Sequence, residues 1–290
     1  MPLFPPLNLP WVHGEYEGTP LSILTPASRI KEIQESHKSR PDDVYIATYQ
    51  KCGTTWLQQI LCLLYDFPQG EERKTIVEAS PWIEHLSQEQ IDVAPSPRVF
   101  KTHMRWKWVP KADGVKYIYC YRNPKDCAVS FFHHMSRVFN KANQYEGNLD
   151  DFIRDVFIAE NAAKNGRFFE HVAEWLEQKS NDSIYFLTYE DLSEDFEKAV
   201  TGIAKFLGLN ISAEKMNSLK EKSSFEVMKK DDKTNFNWLN GISKDPNADF
   251  MRKGKVGDWK NHLSEEQSKK IEDMANEILI PLGAKIKYEL

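Results

Sequence analysis

The sequence lacks the features of a membrane-spanning, a secreted or a nucleic-acid-binding protein. No apolar segment is long enough to span a bilayer. The N-terminus is broken by prolines and has neither the basic leader nor the unbroken apolar region of a signal peptide. A formal net charge of −5 and a pI near 6.0 leave no global basic field for nucleic acid. We therefore expect a cytoplasmic protein whose anion-binding sites are local.

Cysteine is also scarce, with four residues in a chain of 290. Their spacing is neither that of a paired metal site nor that of a disulfide-rich secreted scaffold. The four are Cys52, Cys62, Cys120 and Cys127. We expect reduced thiols, most of them in the core. Because the chain has no internal repeat and 41% hydrophobic residues, it can build one large core, so residues 1–290 are expected to form a single domain.

Strand-like runs alternate with helical runs along the chain. The strand-like runs are rich in β-branched and aromatic residues and comprise residues 44–49, 98–102, 116–121 and 184–188. The helical runs comprise residues 54–65, 124–135, 150–177 with a break near Gly166, 196–207, 213–221 and 264–279. Ser264 and Gln267 predict a capping box at the start of the last run. The alternation predicts an α/β fold in which helices flank a central parallel sheet.

Positively charged residues follow three of the predicted strands. Lys51 comes after the first strand, Lys101 and His103 end the second, and Arg122 follows the third. Tyr189 follows the fourth. Ligands gather at the carboxyl ends of parallel strands. Since buried lysine and arginine need anionic partners, a multiply charged anionic ligand is the simplest explanation for this pattern.

The stretch YQKCGTTW, residues 49–56, predicts an anion site. Gly53, Thr54 and Thr55 would open a helix, where unpaired N–H groups and the helix dipole attract phosphate, and Lys51 adds a full positive charge. The order differs from a Walker A loop, in which lysine follows the second glycine and a magnesium-binding hydroxyl follows the lysine. A glycine turn that caps a helix beside a surface lysine is the plainer alternative.

Two shorter motifs add candidates near the strand ends. Arg122 is followed by Asn-Pro, which predicts a strand-to-helix corner, and Ser130 lies two turns along that helix. A surface arginine and a serine bonded to its own helix are the alternatives. In FKTH, the strand period of two places Lys101 and His103 on one face, so that a cation lies beside an acid-base group.

The segment FMRKGKVGDWK, residues 250–260, contains four cations and two glycines without apolar periodicity. This composition predicts a loop that wraps an anion, and Gly254 and Gly257 would permit its bends. A solvated basic loop before the final helix is the alternative.

Taken together, these motifs resemble the cytosolic sulfotransferases. The segments YQKCGTTW, FKTH, YRNPKDCAVSFFHH, YED, SSFEVMKK and FMRKGKVGDWK occur in that family's order and cover nearly the whole chain. The family's donor is 3′-phosphoadenosine 5′-phosphosulfate (PAPS). The resemblance implies that a P-loop-like loop binds the phosphosulfate and that a sulfuryl group passes to a hydroxyl or amine of a small, largely apolar acceptor. We expect in-line displacement without a metal ion.

The resemblance also implies a role for each matching residue. His103 would be the general base, while Lys51 and Lys101 would neutralise charge on the leaving and sulfuryl oxygens. The donor site would comprise Lys51, Cys52, Gly53, Thr54, Thr55, Trp56, Arg122, Ser130, Tyr189, Ser223, Ser224, Phe225, Met228, Phe250, Met251, Arg252, Lys253 and Gly254. The acceptor cleft would comprise Trp82, His85, Lys101, His103, Trp106, Phe131 and His134, together with the loop before Phe250.

Within the donor site, the resemblance assigns the 3′-phosphate to Arg122, Ser130 and residues 252–254, and the adenine to Trp56, Tyr189 and residues 223–228. The family usually has a small non-thiol residue, often serine, at the position of Cys52, and the resemblance implies that this residue holds the neighbouring lysine until the second substrate arrives. Because a thiol is a weaker hydrogen-bond partner, we expect Lys51 to be held less firmly here. Many phenol-transferring relatives have aromatic residues at the positions of His85 and His134. We therefore expect the acceptor cleft to be more polar here than in those relatives. A P-loop-like nucleotide kinase and a non-catalytic nucleotide-binding module are the alternative functions.

One segment departs from the family. Many vertebrate relatives dimerise through a short element after the W-K pair, but here Glu265 stands in place of its valine and Lys269 in place of its last acid. Glu265 and Lys269 have the spacing that favours an ion pair within one helix. We expect a monomer, or a dimer that uses another surface.

Overall fold

The computed structural model describes residues 12–22, 25–68, 75–138, 145–159, 166–236, 245 and 249–290. The described part begins with an antiparallel hairpin of β1 (Val12–Tyr16) and β2 (Thr19–Ser22). The sequence did not predict this hairpin, because its strands are short and lie next to a proline-rich N-terminus.

Four parallel strands form the central sheet. They are β3 (Val44–Thr48), β4 (Val99–Thr102), β5 (Lys116–Tyr121) and β6 (Ile184–Thr188). Their order across the sheet is β4-β3-β5-β6. Every residue of β3 is buried, as expected for a strand with helices on both faces. The sheet confirms the predicted α/β class. Each strand begins and ends within one residue of its predicted bounds.

Helices connect and cover the strands. They are α1 (Ala27–Ser36), α2 (Thr54–Leu64), α3 (Ile76–Ala79), α4 (Gln88–Asp92), α5 (Pro124–His133), α6 (Leu149–Phe152), α7 (Phe168–Leu176), α8 (Tyr189–Glu194), α9 (Phe196–Leu207), α10 (Ala213–Lys222), α11 (Phe225–Lys230) and α12 (Glu265–Ile278). The capping box predicted for the last helix is confirmed, with Ser264 as the N-cap and Gln267 as its partner. These helices bury the two faces of the sheet in separate hydrophobic clusters.

The helix predicted over residues 150–177 is not continuous. The structure has α6, a wider π-helical turn at Ile153–Ile158, and α7. Residues 160–165 lie outside the described part of the chain. Gly166, with φ of +85°, precedes α7, in agreement with the predicted break near that residue.

The parallel register brings the ends of the strands to one edge. Thr48, the last residue of β3, pairs with Cys120 of β5, and Tyr121 pairs with Thr188 of β6. On the other side, Ala47 pairs with Thr102, the last residue of β4. The loops that follow these strands therefore leave the sheet side by side.

The four cysteines are buried free thiols, as predicted. In the part of the chain that the structure describes, no helix is long and apolar enough to cross a bilayer.

The prediction of an ion pair between Glu265 and Lys269 is wrong. Lys269 Nζ lies 3.0 Å from Asp273 in the next turn of α12, while Lys270 pairs with Glu266. Lys269 remains paired along its own helix, with a different acid, and Lys260 contacts Glu289 near the C-terminus.

We expect a monomer at micromolar concentration, or a dimer that uses another surface, because Lys260 and Lys269 pair with acids of their own chain and Glu265 offers no apolar contact to a second copy. Light scattering coupled to size exclusion measures the mass directly. A stable dimer that dissociates when Glu265 is replaced by Gln or Lys269 by Met would contradict this expectation.

Candidate active site

A cavity of about 680 Å³ lies where the parallel strands end. Most residues of the predicted donor site and acceptor cleft line it. From the donor prediction these are Lys51, Gly53, Thr54, Thr55, Trp56, Arg122, Ser130, Tyr189, Ser223, Phe225, Met228, Phe250, Met251, Arg252, Lys253 and Gly254. From the acceptor prediction they are Trp82, His85, Lys101, His103 and His134. The two predicted sites are thus parts of one continuous cavity.

Some predicted residues lie elsewhere. Trp106 packs edge-on against Trp175, with ring centroids 5.1 Å apart, and Phe131 is fully buried with its ring 5.9 Å from Tyr49. Phe131 belongs to the main core, and Trp106 is partly buried against it. The sequence missed this because the type of an aromatic residue does not reveal which side of a helix or turn it faces. Ser224 is the N-cap of α11 and is not among the residues that line the cavity.

The loop between β3 and α2 is held in an unusual backbone conformation. Lys51 has φ of +67° and Gly53 has φ of +95°. A Cβ at Gly53 would lie 2.9 Å from the Tyr189 ring, so only glycine fits between the loop and that ring. A left-handed lysine is a strained conformation of the kind that clusters at functional sites. The loop then enters α2 at Thr54, whose helix N-terminus opens towards the cavity.

The remaining loop residue, Cys52, is directed into the core. Its side chain is fully buried, with Sγ 3.7 Å from Cys127 Sγ and 3.8 Å from the Gln50 carbonyl oxygen. Cys120 Sγ donates to the Cys52 carbonyl oxygen at 3.2 Å. Burial raises the pKa of both the Cys120 and Cys127 thiols. The Cys52 thiol therefore packs beneath the loop and does not line the cavity.

Two lysines face the cavity without a carboxylate partner. Lys51 Nζ lies 4.1 Å from the centroid of the Phe250 ring, and Lys101 Nζ lies 4.7 Å from the Trp82 ring and 5.7 Å from the Phe236 ring. Burial lowers the pKa of Lys51 to about 7 and that of Lys101 to about 8. Neither forms an ion pair within the described residues, so both cations are available to an anion.

His103 is arranged as a neutral imidazole. Its Nδ1 lies 2.8 Å from the Thr48 carbonyl oxygen, which can only accept, so Nδ1 carries the proton and Nε2 is the basic nitrogen. Burial, followed by the charge of Lys101, lowers the pKa of His103 to about 3. The His103 backbone N–H donates to Glu84 at 2.9 Å, which fixes the residue at the end of β4.

Two supporting residues were missed in the sequence. The Thr48 hydroxyl lies 2.6 Å from the Thr54 hydroxyl and thereby joins the end of β3 to the start of α2. Glu84 Oε1 accepts from both the Thr102 hydroxyl and the His103 backbone N–H at 2.9 Å. The position of Thr48 immediately before the loop was an available signal. Glu84 had none, because a short helical turn far from His103 in sequence carries it.

A second group of polar side chains lies at the end of β5. The Arg122 guanidinium stacks over the Tyr189 ring at 4.3 Å, and its Nη2 donates to the Lys255 carbonyl oxygen at 2.9 Å. Its buried Nε has no hydrogen-bond partner within the described residues. Ser130 of α5 lines the same side of the cavity. Both groups can therefore donate to an anion.

The basic loop completes this side of the cavity. Asp258 holds Arg252 at 2.6 Å and Lys253 at 2.7 Å. Gly254 has φ of +64°, and a Cβ there would collide with the Phe225 ring. Glycine is therefore required at this position, and the loop lies directly against the N-terminus of α11.

His133 is a cavity residue that the sequence did not single out. It lies one turn after Ser130 on α5, and both ring nitrogens lack hydrogen-bond partners in the described part of the chain. Burial, followed by the charge of Arg252, lowers the pKa of His133 to about 4. Its spacing of three from Ser130 on a predicted helix was the signal that would have placed it on the same face.

Comparisons with known proteins cover all of the residues that line the cavity. The model of the sulfotransferase domain family matches residues 41–282. An amine sulfotransferase of Oryctolagus cuniculus is 32% identical over 275 residues, covering 90% of this chain and 89% of the relative. Sulfotransferase 1B1 of Canis lupus familiaris is 34% identical over 278 residues, covering 91% of this chain and 90% of the relative.

Solved structures share the fold. The crystal structure of mouse sulfotransferase SULT7A1 complexed with PAP is 27% identical, with a TM-score of 0.76, and the match covers 93% of this chain and 95% of that one. A retinol dehydratase in a complex with retinol and PAP has a TM-score of 0.80 at 23% identity, which shows likeness of fold.

Proposed function

The chain belongs to the sulfotransferase family and is an enzyme of that family, and from this we propose that it transfers a sulfuryl group from PAPS to a hydroxyl or amine of a small, largely apolar acceptor, with His103 as general base. The observation that carries the proposal is the arrangement around one cavity of a neutral His103 and two lysines that form no ion pair with any described carboxylate. A base and two cations are the groups that assist an in-line transfer to an oxygen or nitrogen nucleophile.

The donor set of the cavity fits PAPS. PAP, named in the mouse structure, is PAPS without its sulfuryl group, and that protein is 27% identical to this chain. Arg122 Nε, which has no hydrogen-bond partner among the described residues, and the Ser130 hydroxyl, which lines the cavity, suit a phosphate at the far end of the nucleotide. Arg252 and Lys253 would bind the same phosphate while Asp258 positions them. Trp56, whose indole N–H is also unpartnered in the described residues, would stack on the adenine.

The opposite end of the cavity would hold the sulfuryl group. Lys51, the amides at the start of α2 and Lys101 would neutralise the leaving phosphate oxygen and the sulfuryl oxygens. When PAPS is bound, it supplies the sulfur electrophile and a phosphate leaving group. The positive charge of Lys101 is, after burial, the second cause of the low pKa of His103. The negative charge of PAPS would offset this positive charge, so the pKa of His103 would rise from about 3 towards the range of an effective base.

His103 Nε2 accepts the proton of the acceptor as the acceptor oxygen or nitrogen bonds to sulfur and the bond from sulfur to the phosphate oxygen breaks. Thr48 stabilises the resulting imidazolium through the Nδ1–H bond to its carbonyl oxygen. Lys51 neutralises the charge left on the phosphate. Each of the three residues thus acts at a different point of the same displacement.

The acceptor would occupy the part of the cavity next to Trp82, His85 and His134. The Trp82 and His85 rings stack at 3.9 Å, and the Trp82 ring lies edge-on to His103 at 5.1 Å. An aromatic wall with imidazole groups suits an acceptor that is largely apolar and has polar substituents. The amine sulfotransferase among the relatives supports including amines in an acceptor panel with phenols, steroid alcohols and aliphatic alcohols.

A cytoplasmic location also belongs to this proposal. The thiols of Cys52 and Cys127 lie 3.7 Å apart and are not joined. Free, neighbouring thiols suit a reducing compartment.

We expect His103→Ala to lower the rate of transfer by about 10²- to 10⁴-fold, the usual contribution of a general base. The affinity for PAP should stay close to that of the unchanged protein, because the residues proposed to hold the nucleotide lie on other elements. Turnover is measured with PAPS and the best acceptor of the panel, and PAP binding by calorimetry. Turnover equal to that of the unchanged enzyme would remove His103 from this role.

Replacing Arg122 or Arg252 with Met should weaken PAP much more than AMP, which lacks the 3′-phosphate. Each charge-assisted bond is worth roughly 1.5–3 kcal/mol, or about 10- to 150-fold in affinity. Calorimetry with the two nucleotides gives the comparison. Arg154→Gln, which removes an exposed arginine paired with Asp151, is the matched control and should change neither affinity. Equal losses for PAP and AMP would refute the assignment.

The affinity for PAP should fall as the pH rises above 7. Burial lowers the pKa of Lys51 to about 7, so the free protein loses this charge in that range, and an anion binds the charged form. The dissociation constant should then rise by up to about tenfold per pH unit. In Lys51→Arg the charge persists, so the decline should begin only near pH 8, where Lys101 titrates. Identical pH profiles for the two proteins would contradict this role of Lys51.

A further inference from the structure

His133 lies where α5 meets the basic loop, residues 250–260. It is the last residue of α5 and comes one turn after Ser130, and both side chains line the cavity. Its ring meets the His262 ring edge-on at 5.3 Å, just beyond the end of the basic loop. The next residue, His134, meets the Phe250 ring at 5.6 Å instead, at the start of that loop. The two neighbouring histidines therefore contact opposite ends of the basic loop.

The charged groups around His133 are mostly positive. After burial, the charges of Arg252, His262 and Arg137 lower the pKa of His133, while the charge of Asp258 raises it. Asp258 is already engaged, because its Oδ2 accepts from Arg252 at 2.6 Å and lies 3.2 Å from His262 Nε2. Its carboxylate is thus shared among cations of its own loop, and the surroundings of His133 favour an added anion.

The imidazole of His133 is ready to accept a new partner. Both of its nitrogens are enclosed and have no hydrogen-bond partner among the described residues, which is an unfavourable state for a polar group. The ring itself is only partly buried, so rotation about its side-chain bonds can turn a nitrogen towards a ligand in the cavity. With a pKa of about 4 the ring is neutral at pH 7. An adjacent anion favours the charged form, in which both nitrogens donate.

We propose that His133 is a specificity-determining residue that takes up a proton when the nucleotide binds and then donates a hydrogen bond to its 3′-phosphate. This inference rests on the proposed function, in which Ser130 on the same helix face and Arg252 beside the ring bind that phosphate. The proton comes from solvent or from the phosphate itself, and no covalent bond other than N–H or O–H changes. Arg122 and Arg252 carry a fixed charge, whereas the charge of His133 appears only with the phosphate. A nucleotide without a 3′-phosphate would leave His133 neutral.

The affinity that His133 contributes should grow as the pH falls. Below the pKa of His133 in the complex and above its pKa of about 4 in the free protein, the complex binds more protons than the free protein. If the phosphate raises the pKa by about 2, the dissociation constant of PAP for His133→Asn, divided by that for the unchanged protein, should grow about tenfold from pH 8 to pH 5. The titrations of Lys51 and of the phosphate are common to both proteins and cancel in this ratio.

Calorimetry with PAP and AMP from pH 5 to pH 8 tests this expectation. AMP lacks the 3′-phosphate, so its ratio of dissociation constants should not change with pH, and its binding also shows that the variant is folded. His133→Gln keeps an N–H donor but cannot titrate, so it should show the same pH dependence as His133→Asn. A PAP ratio that is the same at pH 5 and pH 8, or an AMP ratio that grows as much as the PAP ratio, would overturn the proposal.

A second measurement counts the protons directly. The PAP titration is repeated at pH 5.5 in buffers with different enthalpies of ionisation, which gives the number of protons taken up per nucleotide. The unchanged protein should take up about 0.7 of a proton more than His133→Asn, again for a rise in pKa of about 2. With AMP the two proteins should agree. A ring that merely packs against its neighbours would alter affinity but not this number, so equal counts with PAP would overturn the proposal.

The matched control is a histidine outside the cavity. His37 is also partly buried, burial lowers its pKa, and its Nε2 lies 2.9 Å from the Tyr45 hydroxyl. It does not line the cavity, so His37→Gln should leave the PAP ratio and the proton count unchanged. Changes equal to those of His133→Asn would trace the effect to general titration of the fold and overturn the proposal.

The outcomes separate this inference from the function on which it rests. If the unchanged protein neither binds PAP nor transfers from PAPS, the proposed function fails and this inference fails with it. If it binds PAP and transfers normally, but the His133 variants follow its pH profile and its proton count, only the role of His133 is overturned.

Discussion

The site depends on positive charge that is kept out of water without a fixed anion beside it. Lys51 and Lys101 lie against aromatic rings, and burial brings their pKa values down to about 7 and 8. A carboxylate at either place would restore the charge but would also compete with an anionic substrate. Aromatic faces avoid that competition, since their attraction for a cation is weaker than that of an ion pair and yields to a phosphate.

The parallel sheet makes this arrangement possible. Its register brings the ends of β3, β4 and β5 side by side, so that Lys51, His103 and Arg122 reach one cavity from strands that are distant in sequence. The supporting bonds follow the same geometry. The Thr48 carbonyl oxygen at the end of β3 sets the proton on His103 after β4, and this bond forms only because the two strands are neighbours. The geometry of the cavity is thus a consequence of strand order.

Much of this could be predicted from the sequence, because strands with β-branched residues, glycine turns and clustered cations leave strong local patterns. The four sheet strands and the loop before α2 are of this kind. Side-chain direction was not predictable. Trp106 and Phe131 are aromatic residues near the site that face the core, while Glu84 supports His103 from a turn with no signal of its own. The partner of Lys269 was missed for a similar reason, since two acids lie within its reach on α12.

The two ends of the cavity differ in how they are built, and this bears on specificity. At the end proposed to bind the donor, backbone groups and glycines with positive φ, such as Gly53 and Gly254, fix the shape, and a Cβ at either would collide with an aromatic ring. At the end proposed to bind the acceptor, the wall includes the side chains of His134 and Phe236, and each of them makes a ring contact with Phe250. Side chains can be exchanged or moved at a lower cost than backbone. The same fold can therefore keep one donor while its acceptor changes.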